Sequence, residues 1–286
     1  MNRTNELIRC IEACQKINSL YKHIVIDYSS ERPIEIENEN IIVYRVQNEN
    51  SWCISRAYNA GLDFIETEYI LKIDADVIVD ADYLNKLLYT KYDHILFTNN
   101  ENDAGNFLVK NDLIQAVNGF NEYIYRGYDD HDLLKRINNK FKDLNVKVVN
   151  NKISKLEHGD EERVKSKKSR FLIKNENYHY ALVKAANDFG GHVSARNLWD
   201  EKNRRKYCLE NSSIYIKHKY SYKDLGIINQ LNTKRIFLST FFRIYFRRRS
   251  DFFSRLFKRL LPILLLVLPE GIIDFLFGFR IAPKVG

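Results

Sequence analysis

Asp74-Ala75-Asp76 sets two carboxylates one residue apart, directly after the apolar run Tyr69-Ile70-Leu71-Lys72-Ile73. A short apolar run bounded in this way reads as a buried strand, so the acids fall where the strand meets a loop. In open α/β sheets, ligands bind outside the carboxyl ends of the strands. Two acids there, with a divalent ion, make a seat for a diphosphate, because a hard cation takes oxygen ligands and bridges anionic oxygens. Spacing alone does not discriminate, since Asp80-Ala81-Asp82 repeats the pattern six residues on. That copy precedes the helix-like run Tyr83-Leu84-Asn85-Lys86-Leu87-Leu88, and Asp80 or Asp82 reads as its N-cap. A second acid pair, Asp129-Asp130, follows Gly127-Tyr128 and opens the stretch His131-Asp132-Leu133-Leu134-Lys135-Arg136-Ile137. Carboxylates at a helix mouth are favoured by its dipole, so capping is one reading. Adjacent carboxylates also push each other's pKa values apart and leave one able to act as a base, which is the other.

The elements that would carry these acids alternate. Leu7 to Cys14 has helical spacing; His23-Ile24-Val25-Ile26-Asp27 and Ile41-Ile42-Val43-Tyr44 read as strands, and Ser55 to Ile65 as a helix. Strand signals recur at His94–Phe97, Asn106–Val109 and Val146–Val149. Strands alternating with helices over the first 150 residues predict an α/β domain with a mostly parallel sheet flanked by helices. Glu161 to about Lys174 is charged and reads as helical, residues 175–234 carry no readable motif, and residues 166–234 are expected to form an accessory helical region.

Several motifs together, in order, resemble the GT-A glycosyltransferases of the family-2 type, those with a galactosyltransferase-like C-terminal half. The likeness spans about residues 2–165, and the fold it implies is the GT-A, Rossmann-like sheet. Asp74-Ala75-Asp76 looks like that family's metal and nucleotide-sugar motif. Gly119-Phe120 through Asp132-Leu133 is similar to its acceptor loop, and Leu156-Glu157-His158-Gly159-Asp160 to the segment that supplies a histidine metal ligand. The resemblance implies roles. Asp27, Arg56 and Asn59 would line the nucleoside pocket, and Asp74 would contact the ribose or reach the metal through water. Asp76 and His158 would ligate Mn²⁺ or Mg²⁺ on the diphosphate of a UDP-sugar, where the ion acts as a Lewis acid. Asp130 would be the base for the acceptor hydroxyl, with Asp129 and Gly127 at the acceptor. The implied reaction is inverting transfer of a hexose or N-acetylhexosamine to a glycan or lipid-linked acceptor in surface polysaccharide synthesis. The rival expectation is a non-catalytic nucleotide-sugar or glycan-binding relic. Asp129 stands where the family usually has Glu, and His131 where it has an acid. The family opens with a strand ending near Pro-x-Tyr-Asn-Arg; here Asn2-Arg3 follow Met1 directly, so that first strand is expected to be missing, and either the true start lies upstream or the fold is incomplete.

Net charge is +8 and the isoelectric point about 9.1. Much of the excess is local: Arg243, Arg247, Arg248, Arg249, Arg255, Lys258 and Arg259 interleave with Phe241, Phe242, Tyr245, Phe246, Phe252, Phe253 and Phe257. Leu260 to Pro269 is then apolar, far short of the ~20 residues of a spanning helix. Residues 235–286 are therefore expected to be a basic amphipathic tail lying on an anionic membrane surface. Nucleic acid is not expected as a partner, since no binding motif accompanies the tail. Cys10, Cys14, Cys53 and Cys208 form no CxxC pair and read as reduced thiols. The expected location is cytoplasmic, peripheral on the inner face of the plasma membrane.

Overall fold

The computed structural model describes residues 4–18, 20, 22–28, 30, 32–47, 53–87, 92–98, 105–124, 127–156, 190–191, 193–195, 199–201 and 204–218. Helix α1 (Thr4–Cys14) leads into strands β1 (His23–Asp27) and β2 (Ile41–Val46), then α2 (Ile54–Leu62), β3 (Tyr69–Lys72), β4 (Val77–Val79) and α3 (Ala81–Leu87). Strands β5 (His94–Thr98) and β6 (Asn106–Lys110) follow, then α4 (Asn111–Ala116), α5 (Asp129–Lys140), β7 (Val146–Asn150), β8 (Ile153–Lys155), β9 (Lys206–Glu210) and β10 (Ser213–His218).

The second sheet, in order β3-β6-β5-β7, is the one that positions the acids. Its residues alternate between two buried faces. Ile70, Leu96, Phe107 and Val109 pack with Leu113, Ile114, Leu133 and Ile137 on the side of α4 and α5. Tyr69, Leu71, Ile95, Phe97 and Leu108 pack with Cys10, Cys14, Leu84 and Val149 on the side of α1 and α3. A sheet buried on both faces is why these strands read as continuous apolar runs. Cys10 and Cys14 are 2% and 3% exposed and serve as core, as their helical spacing suggests.

The sheets are mixed rather than mostly parallel. β1–β2, β2–β10 and β5–β7 are parallel; β3–β6, β5–β6, β4–β8 and β9–β10 are antiparallel. The cause is chain length. A parallel return needs a crossover of about a dozen residues or more, and only seven separate Thr98 from Asn106, so β6 comes back antiparallel. The run Tyr69–Val79 is likewise not one strand. It breaks after Lys72 into a turn closed by Val77 N–H donating to Asp74 O at 3.0 Å.

Part of the stretch expected to be helical is sheet. Lys206–Glu210 and Ser213–His218 form a hairpin whose two-residue loop has Asn211 at φ +47° and Ser212 at φ +61°. Two successive positive φ values match the right-handed twist of the flanking strands. Tyr207 and Ile214 bury themselves with Tyr44, Val46 and Ala60, and β10 continues the β1–β2 sheet. The alternation Tyr207/Leu209 and Ile214/Ile216 is the period-2 signal of a strand. Among the described residues, no helix is long and apolar enough to cross a membrane; residues 235–286 lie outside them.

Candidate active site

Residue parity along β3 decides what Asp74 meets. Ile70 faces α4 and α5, so Lys72, two residues on and paired in register with Phe107, faces the same way. Its ammonium arrives at the N-terminal end of α5. There Nζ lies 2.9 Å from Asp74 Oδ1 and 3.2 Å from Asp130 Oδ1, donates to the Gly105 carbonyl, and sits 4.5 Å from the centre of the Tyr58 ring. Tyr58, on α2, donates its hydroxyl to the same Asp74 Oδ1 at 2.8 Å. Asp74 N–H in turn donates to the Asn106 side chain at 2.8 Å. The two acid motifs, 56 residues apart in sequence, therefore converge on one lysine.

Lys72 is 7% exposed. Burial alone would drive it to give up its proton, yet the Asp130 and Asp74 carboxylates outweigh that and hold it charged, well above its ordinary value. Asp130 is pushed the other way, up to about 7, by burial; Lys72 opposes the shift, and Asp129 and Asp74 add to it. Asp129 is raised too, first by burial. The two neighbours differ in access: Asp129 is only 2% exposed, whereas the Asp130 side chain keeps 15%. Asp129 Oδ2 has no hydrogen-bond donor among the described residues. A carboxylate poised near neutrality and still reachable from solvent is what a general base needs.

Local backbone brings the pair to this place. Gly127 at φ +69° and Tyr128 at φ +73° turn the chain, and Tyr128 is the N-cap of α5 although its side chain caps nothing. Asp129, Asp130 and Asp132 then fill the first turn. Asp132 is spent on structure: it holds Arg136 at 2.7 Å, and Arg136 also reaches the Val117 carbonyl. His131 is exposed and edges against Tyr128, outside the acid cluster. The Asp80-Ala81-Asp82 copy behaves as a cap. Asp80 Oδ1 accepts from Tyr83 N–H at 2.9 Å at the start of α3, and Oδ2 faces Lys152 at 3.1 Å.

The donor set suits a hard cation in part. Asp76 is 6% exposed and its carbonyl accepts from Leu156 N–H at 2.8 Å, just beyond the β4–β8 ladder. That bond fixes the chain two residues before His158. His158 itself lies outside the described residues, within which no three His, Cys, Asp or Glu side chains converge. Carboxylate oxygen is the ligand Mg²⁺ and Mn²⁺ prefer, and of the two expected ligands Asp76 is the described one.

The residues expected to line a nucleoside pocket each have protein partners. Asn59 is fully buried; its amide donates to Phe120 O and Glu122 Oε1, and its Oδ1 accepts from Phe120 N–H at 2.8 Å. Arg56 lies 4.0 Å from Glu122 Oε2, which also faces Arg205 at 3.5 Å. Burial raises Glu122, and Arg205 and Arg56 oppose it. Asp27, 1% exposed, accepts from Ser30 and Ile34 N–H and pairs with Arg45. These three side chains therefore hold loops and α2 in place. Lys72, Tyr58 and Asn106 were not singled out by spacing. Lys72 alone carried a signal, as a charge inside an otherwise apolar strand.

Residues 1–107 match the family model described as glycosyl transferase family 2. No curated protein matches the chain. Among solved structures, it is similar to the catalytic domain of Drosophila beta1,4galactosyltransferase 7 in complex with xylobiose, at 14% identity and a TM-score of 0.45, over 77% of this chain and 91% of that one. A mutant of the same Drosophila enzyme in complex with manganese, UDP-Gal and xylobiose is similar at 13% identity and a TM-score of 0.44, over 77% and 91%. S. aureus TarS 1-349 is similar at 8% identity and a TM-score of 0.45, over 76% and 94%.

Proposed function

We propose, from the match of residues 1–107 to the glycosyl transferase family 2 model, that this chain is a glycosyltransferase that moves a hexose or N-acetylhexosamine from a UDP-sugar to a glycan or lipid-linked hydroxyl, with inversion and with Mn²⁺ or Mg²⁺. The observation that supports it best is the meeting of Asp74 and Asp130 at Lys72. One acid belongs to the donor motif and the other to the acceptor helix, so the two substrates would meet there. Asp130 accepts the proton of the acceptor hydroxyl. That oxygen forms the new bond to the anomeric carbon from the face opposite the diphosphate, and the carbon–diphosphate bond breaks with its electron pair, releasing UDP. Positive charge develops on the sugar ring, as in other glycosyl transfers. Asp129 Oδ2, a buried acceptor atom beside the base, would take a second acceptor hydroxyl. Bound at Asp76 and His158, the cation would neutralise the departing diphosphate.

The basic, aromatic tail supports a setting at an anionic membrane surface on the cytoplasmic side, with a surface glycan as product. A second reading has one observation in its favour. The acceptor run departs from the family pattern at Asp129, where Glu is usual, and at His131, where an acid is, which fits a non-catalytic nucleotide-sugar or glycan-binding relic.

The two part in a single assay. Thermal shift with UDP and Mn²⁺ reports binding, and UDP release from a panel of UDP-sugars with glycan acceptors reports transfer. Release above the acceptor-free rate supports the enzyme. Mn²⁺-dependent UDP binding without release from any pair favours the relic, and no UDP binding sinks both.

A further inference from the structure

We propose that Lys72 is a positioning residue that links the donor carboxylate to the acceptor base, sharing one buried ammonium between Asp74 and Asp130. The inference rests on the functional reading above for the roles of those two acids. Its geometry does not. The ammonium is enclosed by Asp74 Oδ1, Asp130 Oδ1, the Gly105 carbonyl and the face of the Tyr58 ring. Among the described residues, the charged and titratable groups facing Asp130 are Lys72 from β3, Asp74 from the turn after it, Tyr58 from α2 and Asp129 from its own helix. Of these only Lys72 is cationic, so it alone favours the ionised base. It does so while tied to Asp74, and what weakens or neutralises one ion pair strengthens the other. Buried placement makes this exchange effective, because the field of an ammonium falls off less in a low-dielectric interior than in water. Lys72 has two anionic partners, from opposite halves of the proposed reaction.

The experiment is a ¹³C NMR titration of the Asp130 carboxyl in the full chain, with no substrate present, beside pH profiles of transfer. An opposite charge at this range lowers an aspartate by about 1–3 pH units. We expect Lys72→Met to move the Asp130 midpoint upward by about that amount, and the acidic limb of kcat with it, with KM for the donor changing less. Lys72→Arg keeps the charge and should restore the midpoint. If Lys72→Met does not fold, Asp74→Asn gives the opposite sign: it frees Lys72 for Asp130 and removes a negative neighbour, so the midpoint should fall. An unmoved midpoint in both Lys72→Met and Asp74→Asn, or in Asp74→Asn alone where Lys72→Met is lost, overturns the proposal. The titration needs no donor. A wild-type chain that transfers from no UDP-sugar would remove the functional reading and leave this coupling to be decided by the midpoints.

Discussion

At the scale of the residue, three aspartate motifs of similar appearance have different surroundings, and each surrounding sets a different expectation. Asp76→Asn should abolish most Mn²⁺-dependent UDP binding in a thermal-shift titration, because a hard-cation site loses a charged oxygen. Asp130→Asn should bind UDP and Mn²⁺ normally while transfer drops by roughly 10²–10⁴-fold, the usual contribution of a positioned base. Asp80→Asn should leave both intact and cost on the order of 1 kcal/mol or less, since Asp80 caps α3 and Asn caps nearly as well. The site reading fails if Asp130→Asn transfers at the wild-type rate. Stability carries a pH signature as well. The folded Asp130 binds its proton more tightly than the unfolded chain does, so ionising it costs stability as pH rises from the ordinary carboxylate range to about 7. The melting temperature of Asp130→Asn relative to wild type should therefore become more favourable from pH 5 to pH 8. A difference that stays flat would mean Asp130 titrates as an ordinary carboxyl.

At the scale of the element, two turns decide where strands and helices point. The turn that follows helix α4 holds Asn118 (φ +60°) and Gly119 (φ +68°), with Gly119 N–H donating to Ile114 O at 3.0 Å. A Cβ on Gly119 would come within 2.4 Å of Asn59 Oδ1, the atom that also receives Phe120 N–H. Gly119→Ala should thus cost on the order of 2 kcal/mol, from backbone strain and from disturbing that bond, read as a lower midpoint in urea. The β9–β10 turn gives the opposite sign. Ser212 pays for a left-handed φ that glycine adopts freely. Ser212→Gly should stabilise by about 0.5–1 kcal/mol, offset in part by the greater freedom of glycine when unfolded. A loss of stability there would mean the turn is not held in this conformation.

At the scale of the molecule, the family match over residues 1–107 does not by itself delimit a folding unit. β10 continues the sheet of β1 and β2, Ile214 is fully buried beside Val46, and Arg205 faces the buried Glu122. A fragment of residues 1–165 would leave Glu122 short of one cation and open an apolar sheet edge, so it should lose a cooperative thermal transition that residues 1–218 retain. A sharp transition in the shorter fragment would show that the hairpin is dispensable. The tail adds an expectation of a different kind. Deleting residues 235–286 should release the protein from anionic vesicles, and high salt should weaken the full chain's binding only in part, because salt screens charge but not apolar insertion. Continued sedimentation of the truncated protein with vesicles would place the anchor elsewhere.

The order and type of the first elements were legible in the chain, because strand and helix periodicity is local and strong there: His23–Asp27, Asn106–Lys110 and the cap at Asp80 lie where spacing put them. The acid pairs were also legible as candidates, since composition and order mark them. Pairing was not. Whether β6 runs parallel or antiparallel, and whether residues 206–218 join the sheet of β2, depends on contacts between segments far apart in sequence. The partner of each acid was equally hidden. Lys72 reaches Asp130 only because β3 and the first turn of α5 are brought together by the packing of Phe107, Val109, Leu133 and Ile137. Asn59 and Arg56, placed by resemblance in a nucleotide pocket, are buried beside Glu122, a neighbour that spacing did not reveal. A side chain's role is fixed by burial and by the charges within a few ångströms of it, and those are properties of the folded chain.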